Sequence, residues 1–201
     1  MEMKKLHDVE LKRLQQYEVD VTLDPDTANP QLVLSDDKKQ VNDGEEWMDL
    51  PDNPERFTLY PYVLTEQSFS SGRFYFEVQA EGKPKWEIGV ARMSINRTGR
   101  ITATPENGYW TISFKNNEFI VNSDPVVHLP VRAEPRKVGV FVDYDEGLVS
   151  FYEVEARVHI YSATGCTFTE PLHAILKPGL NNRVIWSGSG DDEEKRRKRV
   201  E

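Results

Sequence analysis

The sequence lacks the residues and runs on which several classes of protein depend. It has one cysteine, Cys166, which excludes an intramolecular disulfide and a zinc site built from several cysteines. It has no run near the roughly 18 apolar residues of a membrane span, and no apolar stretch of signal-peptide type at its start. The four histidines show no metal-binding spacing, and no glycine-rich phosphate loop occurs. We therefore expect no cofactor, no metal, no catalytic residues and no membrane association.

The chain also has no excess of positive charge, since its 34 acidic residues outnumber its 25 lysine and arginine residues and give a formal net charge of -9. Acidic and basic residues balance in residues 1–18 and again in residues 191–201, so the stretch between them carries the whole negative charge. A body of that sign is not drawn to a phosphate backbone. We therefore expect the body not to bind nucleic acid.

The first segment, residues 1–18, predicts a short helix over residues 3–17. Helical spacing gathers five apolar residues on one face and leaves Leu11 off it. These five are Met3, Leu6, Val9, Leu14 and Tyr17. A helix of this length is marginal alone in water, so it must dock. It either packs on its own domain or ends a longer coiled coil, through which a longer parent protein would dimerise, and the two can coexist.

From residue 19 the apolar spacing changes to two, the period of a half-buried strand, beginning with Val19, Val21 and Leu23. Turn residues separate many such short runs, and no segment reads as a crossover helix. This pattern predicts an all-β sandwich or barrel over residues 19–187. The hydrophobic content of 38% is enough for its core.

The last segment, residues 188–201, predicts a flexible charged tail. Lys195–Arg199 reads KRRKR, a composition typical of nuclear-import or polyanion-binding patches. The preceding acids, Asp191–Glu194, would partly neutralise it. The tail is thus either a solvated end or the working signal of a nuclear adaptor.

A set of short motifs then occurs in a distinctive order. They are LDPDTA at 23–28, LVLS at 32–35, ERF at 55–57, GRFYFEV at 72–78, WEIGVA at 86–91, GYWT at 108–111, VGVFVDYDEG at 138–147 and PG at 178–179. Together they resemble the PRY-SPRY domain of tripartite-motif (TRIM) ubiquitin ligases and butyrophilins. Phe76 stands where the family usually has tryptophan, and Val142 where it has leucine, but both remain apolar.

The resemblance implies a fold and a role. The implied fold is a bent antiparallel β-sandwich, a concanavalin-like jelly roll, with a short N-terminal α-helix. The implied role is a non-enzymatic, cytoplasmic recognition domain that binds the protein substrate or ligand of a TRIM-type ligase, in innate immune defence. Ligase activity would need a RING domain, and this sequence has no such cysteine and histidine cluster.

In similar domains, loops at one side of the sandwich build the ligand groove, and rigid strands carrying variable loops suit recognition. The corresponding loops here are 42–52, 93–106, 113–119 and 179–183. The candidate ligand-binding residues in them are Trp47, Met48, Met93, Arg97, Arg100, Ser113, Lys115, Asn117, Leu180 and Asn181.

The polar and basic members of this set predict a locally basic surface on an acidic body. Such a surface favours an acidic or loop peptide of a protein partner. The alternative is a butyrophilin-like sensor of a small phosphorylated ligand, contacted by Arg97, Arg100 and Lys115. These three residues could also be ordinary solvated loop charges.

Other noticeable residues have simpler interpretations. Asp143, Asp145 and Glu146 precede a glycine between two strands, which predicts a hairpin turn rather than a metal site. Cys166 lies in a strand-like run and predicts a buried, inert thiol. Trp47 sits in a polar loop, where it either marks a protein contact or covers a sheet edge.

Overall fold

The computed structural model describes residues 8–179 and 183–187 of the protein. One helix, α1, spans Asp8–Gln15, and a short 3-10 helix spans Pro105–Asn107. Within the described residues the strands are β1 Leu32–Leu34, β2 Gln40–Asp43, β3 Val63–Leu64, β4 Arg73–Gln79, β5 Trp86–Arg92, β6 Tyr109–Lys115, β7 Glu118–Val121, β8 Val127–His128, β9 Lys137–Asp143, β10 Leu148–Glu153, β11 Val158–Ala163, β12 Leu172–Pro178 and β13 Arg183–Ser187.

The strands form two antiparallel sheets packed face to face. The seven-stranded sheet has the order β1-β2-β13-β4-β9-β10-β11, and the six-stranded sheet has the order β3-β12-β5-β6-β7-β8. One apolar core lies between them and takes residues from both sheets. The predicted all-β sandwich with a short N-terminal helix is confirmed.

Alternation along the strands explains this core. In β6, Trp110 and Phe114 point into it, and Trp86 of β5 stacks on Phe114 with 5.7 Å between ring centres. Both tryptophans are buried. Each large aromatic side chain removed from water contributes about 2–3 kcal/mol to folding.

The first predicted strand, Val19–Leu23, does not form. Instead Glu18 bridges Tyr75 in the seven-stranded sheet and Leu23 bridges Thr65 beside the six-stranded sheet. This segment crosses from one sheet to the other, so it cannot extend a ladder along either.

Helix α1 docks on the outer face of the seven-stranded sheet by a face rotated from the predicted one, although Leu14 and Tyr17 pack there as predicted. Leu11 is 7% exposed, whereas Val9 is 77% exposed. The Gln15 amide donates to a Glu77 carboxylate oxygen at 3.1 Å. At 100° per residue, Leu11, Leu14 and Gln15 share the face opposite Val9. The polar anchor thus helps to select the docking face. The start of the predicted helix, residues 3–7, lies outside the described residues.

The outer face of the same sheet depends on a glycine. A Cβ atom at Gly139 of β9 would lie 2.4 Å from the hydroxyl oxygen of Tyr75 in β4. With no side chain there, the Tyr75 ring lies across Gly139, and its hydroxyl donates to Glu77 at 2.7 Å. Glycine at this position therefore allows the Tyr75 ring to pack flat on the sheet, where it forms part of the surface that α1 contacts.

Candidate functional site

Two loop segments cover the outer face of the six-stranded sheet and form a second apolar cluster with it. Residues 53–62 contribute Phe57 and Tyr62, and residues 93–104 contribute Ile95. They pack against the outward side chains of β5, β6 and β12. We call the exposed surface of residues 45–59 and 93–107 the loop face. Because its base is a sheet, the loop face has a rigid foundation.

Arg97 holds the two loops of this face together. Its guanidinium donates to the Glu55 carbonyl at 2.9 Å and to the Met93 carbonyl at 2.8 Å. The Thr58 amide donates to the Arg97 carbonyl at 3.0 Å, and the guanidinium carbon lies 5.9 Å from the centre of the Phe57 ring. Burial lowers the pKa of Arg97. Arg97 is therefore a positioning residue whose charged group is directed at its own chain.

Trp47 and Met48 lie at the outer end of the loop face. Their exposed fractions are 59% and 38%, so both side chains are accessible to a partner. They border a cleft of about 300 Å³ that is also lined by Pro30, Leu50 and Phe57. We call it the Trp47 cleft. The Met48 amide donates to the Pro30 carbonyl at 3.0 Å, which fixes the backbone at its rim.

The predicted basic surface does not exist as one cluster. Ala91 pairs with Tyr109 at one end of the β5–β6 ladder, and Trp86 pairs with Phe114 at the other. Arg97 and Arg100 follow β5, whereas Lys115 ends β6. The rise of a strand separates the two groups by about 20 Å. The expectation of a joint basic site is therefore wrong, and register is the physical reason.

The β6–β7 hairpin has its own arrangement. Lys115 and Asn117 are exposed, with Asn117 in the left-handed backbone region at φ 60°. Ser113 is half-buried and accepts a hydrogen bond from the Asn122 amide at 2.9 Å. Leu180 and Asn181, the remaining two predicted site residues, lie outside the described residues.

A buried carboxylate lies between these two ends and was missed by sequence reasoning. Glu87 accepts from the Tyr62 hydroxyl at 2.8 Å and from the Thr111 hydroxyl at 3.2 Å, while the Lys177 ammonium lies 3.5 Å away. Burial, followed by the charge of Glu87, raises the pKa of Tyr62. The alternation of β5 placed Glu87 outward, but only the covering loop 53–62 makes it buried. Its charge is matched by Lys177.

A second cleft of about 360 Å³ lies within the part of the loop face formed by residues 93–107. Its lining includes Arg92, Ser94, Asn96, Arg100 and Asn107. Arg92 lies over the Trp110 ring, 5.3 Å from its centre, and donates to the Thr167 carbonyl at 3.3 Å. This cleft therefore offers polar groups, with Arg100 as its exposed base.

A larger groove lies on the opposite sheet, next to α1. It measures about 600 Å³, and its lining includes Tyr17, Arg73, Phe141, Tyr152 and His159. This groove is an alternative binding surface to the loop face. An experiment on the loop face therefore has to distinguish binding at the two surfaces.

Other candidate residues have structural roles. Asp143 accepts from the Glu146 amide at 3.1 Å within the β9–β10 turn, and Asp145 accepts from the Gly72 amide, which confirms the hairpin prediction. Cys166 is half-buried outside any strand, so the strand prediction is wrong there, and burial raises the pKa of its thiol. His128 ends β8 and contacts Glu118 at 3.0 Å.

Two broader features concern the described residues as a whole. No group of three or more His, Cys, Asp or Glu side chains in this part of the chain could hold a metal ion. No helix among these residues has the length and apolar character needed to cross a membrane.

Comparison with known proteins identifies the family. Residues 21–69 match PRY, the SPRY-associated domain, and residues 73–185 match the SPRY domain. Pyrin of Homo sapiens is 45% identical over 182 residues, which cover 90% of this chain and 23% of pyrin. Zinc finger protein RFP of Homo sapiens is 47% identical over 164 residues, which cover 81% of this chain and 32% of that protein.

The solved structure of the TRIM65 PSpry domain has the same fold. It superposes with a TM-score of 0.80, covering 92% of this chain and 98% of that chain, at 22% sequence identity. This chain spans 23% of pyrin and 32% of RFP, so it corresponds to one part of such relatives. The SPRY match alone covers more than half of the sequence, and it follows that the chain belongs to the PRY-SPRY family of protein-interaction domains found in TRIM proteins.

Proposed function

We propose that this domain recognises the protein substrate or ligand of a TRIM-type ubiquitin ligase and captures it on the loop face. The observation that carries the proposal is a group of exposed apolar side chains on clamped loops. Trp47, Met48, Leu59 and Met93 are all exposed there. Exposed tryptophan and methionine beside a cleft are typical of the anchors that dominate protein interfaces.

The clamping by Arg97 matters for affinity. A loop that is already ordered loses less conformational freedom when a partner binds. The hydrogen bonds from Arg97 to Glu55 and Met93 join both loops before any partner arrives. The loop face is thus preorganised for capture of a protein.

The same proposal places the ligase chemistry elsewhere. The matched relatives are roughly three to four times as long as the aligned region, since this chain covers 32% of RFP and 23% of pyrin. In the proposed arrangement, a RING domain in another part of the protein or in a partner transfers ubiquitin, in the cytoplasm and in innate immune defence. This domain brings the substrate.

The test is affinity capture from cell lysate with single-residue variants. Trp47→Ala and Met93→Ala should each weaken capture of a shared set of proteins by about tenfold, the loss expected for interface anchors. Val126→Ala is the matched control, because Val126 is a 53% exposed apolar residue outside the loop face. The exposed positions should leave unfolding free energies within about 0.5 kcal/mol of the parent.

The control decides the interpretation. Equal capture by the parent and both loop-face variants would remove the loop face from the proposal. Lys115→Glu extends the test to the hairpin end of β6: loss of capture there alone would move the binding surface to the other end of the sheet.

A small anionic ligand is a second candidate, favoured by the polar 360 Å³ cleft with Arg92 and Arg100 in its lining. Calorimetry with inorganic pyrophosphate tests it. Binding that is lost in Arg100→Ala would support a sensor of phosphorylated metabolites. Absent binding, or binding that Arg100→Ala leaves intact, would contradict it.

A further inference from the structure

The charge around the Trp47 cleft runs against the sign that the sequence suggested for the loops. Residues 43–55 contain six acidic residues and no basic residue. Asp43 is buried, where it accepts hydrogen bonds from the Gln31 amide. The other five, which we call the acidic rim, are exposed: Glu45, Glu46, Asp49, Asp52 and Glu55.

The acidic rim is not neutralised by the chain. None of its five carboxylates forms an ion pair within 4.0 Å among the residues that the structure describes. Two exposed acids outside the rim do have lysine partners: Glu66 pairs with Lys38 and Asp20 with Lys39. The rim therefore keeps a negative potential at the edge of the cleft.

The one base in the cleft does not cancel this potential. Arg56 lines the cleft, but its guanidinium donates to the carbonyls of Pro25 at 2.8 Å and Ala28 at 2.7 Å. Both of these hydrogen bonds come from Nη1, which ties Arg56 to its own backbone, and its single positive charge offsets only one of the five acids. Arg97 is the second base nearby, since it donates to the Glu55 carbonyl, and five exposed acids against these two bases leave the site negative.

We propose that the Trp47 cleft binds an extended basic segment of the protein partner, with an apolar side chain against Trp47 and Met48 and lysine or arginine residues beside the acidic rim. This inference rests on the proposed function and specifies its ligand. It replaces the expectation of an acidic peptide at this end of the domain.

Charge complementarity argues for this occupant over the others. A second copy of this chain carries the same -9 charge and would be repelled. Anionic lipid headgroups and nucleic-acid phosphates would be repelled for the same reason. A basic peptide gains attraction from the rim and burial of its apolar residue in the cleft, and such attraction speeds association and weakens in salt.

The direct test uses three short extended peptides that share their apolar residues and differ in one respect. Their remaining positions are all lysine, all glutamine or all glutamate. Fluorescence anisotropy with the full chain should show the lysine peptide binding at least about tenfold more tightly than the glutamine peptide. The advantage should shrink as salt is raised from about 0.05 to about 0.5 M.

Matched variants separate local recognition from the general attraction of an acidic protein. Asp49→Asn/Asp52→Asn should abolish most of the lysine advantage, and Trp47→Ala should weaken all three peptides. Glu81→Gln/Glu146→Gln changes the net charge equally at exposed sites outside the loop face and should leave the affinities within about twofold. Equal losses in both double variants, or tighter binding of the glutamate peptide, would overturn the inference.

The chain's own basic tail supplies one more outcome. Removing residues 191–201 should leave the affinity of the lysine peptide unchanged. A rise of about tenfold or more would assign the cleft to Lys195–Arg199 and overturn the proposal of a partner segment.

Peptide binding and lysate capture give separate results for the basic segment and for the loop face. If Trp47-dependent capture from lysate persists while no peptide shows a lysine advantage, the loop face still binds protein, but the partner is not basic. If the lysine advantage is present while Trp47→Ala leaves capture from lysate intact, the cleft has its peptide preference, but the proposed capture surface is wrong.

Discussion

Arg97 is a charged loop residue whose hydrogen bonds are made within the chain. Its guanidinium joins the Glu55 and Met93 carbonyls and lies over Phe57. A hydrogen bond to a charged group contributes about 1.5–3 kcal/mol. At the residue scale, this base acts on a ligand indirectly, by holding the loops that carry the exposed apolar groups.

Arg97→Ala should lower the free energy of unfolding by about 2 kcal/mol, because two carbonyls and the Phe57 ring lose their partner. Urea denaturation measures this change. Arg100→Ala is the matched control: Arg100 is exposed, and its loss should cost less than about 0.5 kcal/mol. Similar values for the two variants would show that Arg97 does not act as a clamp.

At the element scale, the junction between α1 and β4 holds a group of ionisable side chains. Glu18 follows the helix, and one of its carboxylate oxygens is buried without a hydrogen-bond partner. Burial, followed by the charge of Glu77, raises the pKa of Glu18 from its usual value of 4.5. The folded protein therefore holds this proton more tightly than the unfolded chain does.

The consequence is a pH dependence of known sign. Stability from protonated Glu18 is fully present below its unfolded pKa and is lost as pH rises through the raised folded pKa. Glu18→Gln should therefore be more stable than the parent at pH 7, with the difference shrinking toward pH 4. Urea denaturation across this range tests it. A difference that stays constant with pH would contradict the role given to the Glu18 charge.

The elements also show what sequence could predict. Alternation identified the β-rich body after residue 19, because burial of one sheet face imposes a period of two. Helical spacing could not predict that Leu11 rather than Val9 docks, because Gln15 meets Glu77 across 62 positions of sequence. Such long-range contacts leave no local pattern.

In the candidate site too, local features were predictable from the sequence and long-range contacts were not. The polar surroundings of Trp47 predicted a loop, but left open whether the indole marks a protein contact or covers a sheet edge. The distance between Arg97 and Lys115 was not predictable, because strand register places them at opposite ends of β5 and β6. The burial of Glu87 depends on the covering loop, which strand alternation does not describe.

At the scale of the whole molecule, the sandwich presents two different surfaces. The loop face carries exposed apolar groups and the acidic rim, whereas the groove of about 600 Å³ beside α1 lies on the opposite sheet. Part of the net charge of -9 therefore comes from acidic residues that lie beside the proposed anchors, Trp47 and Met48. A partner that carries basic and apolar residues would distinguish the two surfaces.

Amide hydrogen exchange on the domain with a captured partner bound tests the central claim most directly. The partner comes from the lysate capture and is mixed with the full chain. The account predicts slower exchange in residues 45–59 and 93–107 and unchanged exchange in β10 and β11. Slower exchange confined to α1, β10 and β11 would contradict it and assign capture to the groove on the opposite sheet.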